Sequence, residues 1–184
     1  MKKALSFLIA SLFFLFASSQ NTEHLKFMGI PMGISINQFQ KQLTQKGLTY
    51  QNTLDDGTRI FEGVFAGHSD ASIFISSDLT TNIVYRGKAV LTCYDITTAK
   101  LVYEDISTLL EKKYSDQGLV SPVVNDEESG LPMRIVFLEN GRIDIFMHKM
   151  NNITTSYMDC YLIYIDYHDS LEESKHDDLR MEDL

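Results

Sequence analysis

Hydrophobic positions along this chain follow two rhythms, one helical and one alternating, and the two succeed each other twice. From Ile34 to Leu48 the apolar residues Ile36, Phe39 and Leu43 recur at helical spacing among Gln38, Gln40, Lys41, Gln42 and Gln45. This spacing predicts a short amphipathic helix that covers something with one face. Its ends carry their own signals. Ser35 with Gln38 fits a capping box and Ile34 with Phe39 a hydrophobic staple, while Gly47 followed by Leu48 fits a left-handed helix end that brings Leu48 onto Leu43. A second helix is predicted over Thr98 to Tyr114, with Val102, Ile106, Leu109 and Leu110 inward and Lys112 and Lys113 in the last turn, where they suit the helix dipole.

The alternating rhythm predicts strands. Leu25 to Met28 reads as a short one, broken by Gly29, Pro31 and Gly33. After the first helix and a polar stretch with the turn Asp55-Asp56-Gly57 come Arg59 to Ala66, Ala71 to Ser76 and Ile83 to Tyr94. In the last of these, Ile83, Tyr85, Ala89, Leu91 and Cys93 alternate with a mixed set that includes Arg86 and Lys88. Such a strand belongs to a sheet packed on one side and open on the other. After the second helix the pattern returns with Val120 to Val124, Met133 to Glu139, Arg142 to Lys149 and Ser156 to Tyr167, the middle pair forming a hairpin through Asn140-Gly141.

A register of 67 residues places Phe39 on Ile106, Leu43 on Leu110, Lys46 on Lys113 and Cys93-Tyr94 on Cys160-Tyr161. The expected architecture is therefore α+β: two tandem αβββ units with antiparallel sheet, both helices packed on one face. Their bounds are residues 20–96 and 97–168. Two such units over about residues 25 to 168 resemble the β-lactamase-inhibitor-protein-like fold, and are similar to the single-unit outer-membrane assembly lipoproteins. That resemblance implies a small exported bacterial protein that binds another protein through its open sheet face without catalysis. The chain departs from the lipoproteins in having no cysteine to lipidate near its start.

The same register puts Cys160 on the face of Cys93. The opposite side of the last strand is then Tyr157, Asp159, Tyr161, Ile163, Ile165 and Tyr167, too apolar to stay wet. With Arg86, Lys88 and Tyr94 these residues, Tyr157 to Ile165, form the candidate face for a protein or peptide partner. Other covers are the C-terminal tail, through Leu171, Leu179 and Met181, or a second copy of the chain in a homo-oligomer; a strand with core on both sides is the plain alternative. Cys93 and Cys160 are the only two cysteines and form a candidate disulfide if the chain is exported, with two buried free thiols as the other reading.

Composition changes this picture in two ways. Lys2 and Lys3 precede the apolar run Ala4 to Ala17 and the small residues Ser18 and Ser19, the layout of a signal peptide spanning residues 1–19. Cleavage near Ser19/Gln20 delivers the protein to the periplasm or the exterior, and no later run approaches the length of a membrane span. Removing the two lysines takes the formal charge from −9 to −11, which disfavours nucleic acid and anionic membrane as partners. The acidic tail, residues 169–184, has no sustained apolar stripe and is expected to fray.

Catalytic motifs are missing from the sequence: there is no P-loop, nucleophile elbow or paired-cysteine metal motif. Gly67-His68-Ser69-Asp70 holds the residue types of a triad but reads as a turn, since neighbours on one turn cannot form the relay. Asp166 and His168 supply only two ligands to a strand face, with Asp169 on the other, so no metal or other cofactor is expected. The functional expectation is an exported, non-catalytic binding module for a protein or peptide. An oligomeric accessory component of the cell envelope and an enzyme with a dispersed site are the alternatives.

Overall fold

The computed structural model describes residues 23–127, 129–150, 159–173 and 175. The expected signal peptide, Tyr157 and the tail beyond residue 175 lie outside them. The described residues open with a small hairpin, β1 (Lys26–Phe27) and β2 (Ile30–Pro31), followed by helix α1 (Ile36–Gln45) and strands β3 (Thr49–Thr53), β4 (Arg59–Phe65), β5 (His68–Ser77) and β6 (Val84–Cys93). Helix α2 (Ile96–Tyr114) begins the second half, which continues through β7 (Gly118–Val120), β8 (Val124–Asn125), β9 (Pro132–Leu138), β10 (Gly141–Met150) and β11 (Cys160–Asp169). The described strands after β2 join one sheet, in the order β3-β4-β5-β6-β11-β10-β9-β7, with β8 also on β9. The fold is α+β, and each strand pair is antiparallel.

The helix ends form as their residues dictate. Ser35 caps α1 by accepting from the Gln38 N–H at 3.4 Å, although the Gln38 side chain meets the Ser35 hydroxyl, at 3.1 Å, instead of reaching the backbone. At the other end Gly47 takes φ +90°, and the N–H groups of Gly47 and Leu48 bond to the carbonyls of Thr44 and Leu43. This is a Schellman end, and Leu43 and Leu48 are both buried. Helix α2 starts two residues before the expected Thr98, capped by Asp95, whose carboxylate accepts from the Thr98 N–H at 2.8 Å. Its inner face is Ala99, Tyr103, Ile106, Ser107, Leu110 and Tyr114, whereas Leu109 is left 45% exposed.

Both helices pack on the same sheet face and share one core with Phe39, Leu43, Ile73, Ile143, Ile163 and Ile165. The β1–β2 hairpin lies on this face too. Phe27 sits against Gly87 of β6, where a Cβ would come within 2.7 Å of its ring, so only glycine leaves room. Phe27 also meets Tyr167 edge-on at 5.2 Å, which fastens the hairpin over the middle of the sheet.

The two halves are repeats in strand length. Strands β4, β5 and β6 have 7, 10 and 10 residues, and β9, β10 and β11 again have 7, 10 and 10. The halves meet edge to edge where β6 pairs with β11. The spacing is not constant, however. Strand β9 starts 73 residues after β4, at 132 against 59, and β11 starts 76 after β6, at 160 against 84. Longer connections before β9 and before β11 add these residues. A register of 67 sets buried Phe39 on buried Ile106 and buried Leu43 on buried Leu110 but fails at the cysteines: Cys93 ends β6, whereas Cys160 begins β11.

Candidate binding face

That slip decides which side of β11 faces out. Cys93 is the direct partner of Tyr161, Leu91 of Ile163 and Ala89 of Ile165. Side chains of directly paired residues share a face, so Tyr161, Ile163 and Ile165 lie under the helices and are buried. The expectation that they form the partner face is thus corrected, along with that for Tyr167. The candidate disulfide is corrected as well. Cys160 is on the open side and Cys93 on the helix side, because neighbouring positions of a strand alternate, and both are free thiols. Burial pushes the Cys93 thiol up from its ordinary value.

Arg86 and Lys88 do face outward, with Val90, Leu162 and Tyr164 beside them on the open side. Tyr94 follows β6 and is exposed, and Asp159 precedes β11 and pairs with Lys149 at 2.8 Å. Their rim position separates them from the centre of the face.

Apart from Lys88, the side chains that fill that centre are ones the sequence had not singled out. Ile60 is paired with Phe74 and Phe74 with Lys88. On the other side of the seam Tyr164 is paired with Phe146, Phe146 with Met133 and Met133 with Val124. The Lys88 ammonium joins the two runs, 5.1 Å from the Phe74 ring centre and 5.8 Å from that of Tyr164. Tyr164 and Phe146 stack at 4.7 Å with their planes 11° apart. The result is an apolar and aromatic band that crosses the strands from β4 to β8 with one cation set between two rings. Lys88 pairs with no carboxylate among the described residues.

Beside the band lies an ionic cluster. Arg86 donates from Nε to Asp166 Oδ1 at 2.8 Å and from a second nitrogen to the other carboxylate oxygen. This forked contact raises the Arg86 pKa. His168, itself buried, has Nδ1 at 2.9 Å from Glu173 and Nε2 at 3.4 Å from Asp144 and 3.5 Å from Asp166. Arg142 completes the group at 3.3 Å from Asp144. Burial raises the Asp144 pKa, and its Oδ1 has no hydrogen-bond partner among the described residues. Though carboxylates surround His168, the described residues contain no group of three or more metal-ligating side chains arranged to hold an ion.

Glu173 belongs to a helical turn over residues 170–173. Asp169 is its anchor. The fully buried carboxylate accepts from Leu171 and Glu172 and, on the other oxygen, from the Leu25 N–H at 2.7 Å.

No family model, curated protein or solved structure matches this chain. Any partner therefore has to be inferred from the chemistry of the face. Among the described residues no helix is long and apolar enough to cross a membrane.

Proposed function

We propose that the chain is an exported, non-catalytic binding module that recognises a protein or peptide through the open side of its sheet. The observation that carries this reading is the band of Phe74, Lys88, Tyr164, Phe146 and Met133. Large rigid rings bury area at small entropic cost, which is why aromatic residues concentrate in protein interfaces. The chemistry specifies the partner in part. It presents apolar side chains to the band and a carboxylate to Lys88, whose charge is not taken by an acid among the described residues. Arg86 contributes less to such a contact because Asp166 already holds its fork. Export rests on the sequence signal at Lys2 to Ser19.

Panning a random peptide display library on the mature chain tests the proposal. Peptides rich in aliphatic or aromatic residues with at least one acid should be enriched, and should lose binding to a Phe74→Ser/Phe146→Ser variant that still melts cooperatively. Lack of sequence-selective enrichment, or peptides that bind the variant as well as the parent, would overturn it.

A further inference from the structure

On the opposite side of the sheet, the elements that cover it leave a cleft of about 490 Å³. Its floor is Ile165 and Tyr167 of β11 with Phe65 of β4, and its walls are Ile106, Leu109 and Leu110 of α2 and the turn residues Met28 and Ala66. The volume is in the range of small-molecule sites, and the lining is as apolar as theirs. Among the described residues two charged side chains border it, Lys46 from the end of α1 and Lys113 from the end of α2. They occupy equivalent places in the two repeats, so each half contributes one. In a chain of formal charge −9, a cleft whose charged groups are both cations is set apart electrostatically.

The turns give a second, independent observation. Met28-Gly29 and Ala66-Gly67 are both two-residue hairpin loops with positive φ at each position, +53° and +76° in one and +49° and +87° in the other. Such turns favour Asn, Asp or Gly at the first position. Here that position holds Met and Ala, and both line the cleft. The other two non-glycine residues with positive φ, among those described, are Asp70 and Asn82, the types that accept it readily. Local turn preference has been overridden at two places that wall the cleft, and both carry an apolar side chain there. Leu109, 45% exposed, adds a third apolar side chain to the same wall.

We infer that this cleft binds a single-chain amphipathic carboxylate, its hydrocarbon tail over Ile165, Tyr167 and Phe65 and its carboxylate between Lys46 and Lys113. The site is on the other face of the sheet from the aromatic band and does not depend on it.

Fluorescence titration with 11-(dansylamino)undecanoate, followed by competition with dodecanoate, tests this directly. Emission should rise and shift to the blue with one site per chain, and dodecanoate should displace the probe, whereas dodecylamine and acetate should not. Lys46→Glu/Lys113→Glu should weaken binding about tenfold or more, as expected when two favourable charge contacts become repulsive. Met28→Asn and Ala66→Asn keep the fold testable, since each installs a residue the turn accepts more easily; both should bind less tightly while melting no lower than the parent. Three results would overturn the inference: no saturable probe binding, displacement by dodecylamine as effective as by dodecanoate, or binding to anionic vesicles with none to the monomeric probe or to dodecanoate.

Discussion

The two faces of the β6–β11 seam are built from the same two strands and behave as different materials. Toward the helices, Ala89, Leu91, Ile163 and Ile165 are at most 4% exposed and gain their stability from burial alone. Toward solvent, Lys88, Tyr164 and the neighbouring Phe74 and Phe146 remain half-exposed and are held by ring stacking and a cation between rings. One face is filled by what covers it and the other by its own side chains. Large apolar residues in a strand therefore do not by themselves tell a core from an interface.

Substitutions across the seam should separate the two. The largest effect belongs to the covered face: Phe39→Ala should cost about 3 to 5 kcal/mol and Ile163→Ala about 2 to 5 kcal/mol in urea unfolding, because neither site can collapse around the cavity. A stable Ile163→Ala that instead lost peptide binding would reverse the assignment of faces. Next comes Arg86→Ala, which strands the Asp166 carboxylate, 4% exposed, without its partner. Because Arg86 itself is 38% exposed, the loss should be about 2 kcal/mol, below the range for fully buried pairs. Arg86→Lys should recover only part of it, since one ammonium cannot reproduce the fork.

Phe146→Ala should cost less again, about 1 kcal/mol for the lost stacking and partial burial, while abolishing capture of peptides selected on the parent. The smallest effect is expected at Asp144, and its sign is opposite. Burial raises this carboxyl above its ordinary value of 3.8, so the folded state holds the proton more tightly than the unfolded state does. Stability from this group is thus present below the ordinary value and lost as pH rises through the raised one. Asp144→Asn should melt slightly higher than the parent at neutral pH, with the advantage gone under acid conditions; an equal gain at both would mean that charge is not its cause.

Much of the covered layer was legible in the sequence, because helix caps and helical spacing are local. Ser35, Gly47 and Leu48 sit within one short segment and determine each other's geometry. Strand β3 was not legible: all five residues from Thr49 to Thr53 are exposed at a sheet edge, so no alternation marks them. The faces of β11 were misread for a different reason. Cysteine spacing cannot see the residues inserted ahead of β9 and β11, and a slip of an odd number of positions turns a strand over. Phe74, Tyr164 and Phe146 did carry a faint signal, each a ring on the wet side of its own strand. That they meet is a property of strand order, which joins residues from β5, β10 and β11.

The seam also governs how the chain can fold. Within each half the ten-residue strands are joined by hairpins, so their contacts close short loops. Across the seam, partners are far apart in sequence, from Cys93 with Tyr161 to Arg86 with His168. Long loops close late and slow the search, the general behaviour of sheets rich in non-local pairs. Until β11 arrives, β6 presents a ten-residue unpaired edge with Ala89 and Leu91 uncovered. Such an edge is a template for pairing with another chain. The seam that completes the open face is therefore also the place where a half-formed molecule is open to joining a neighbour.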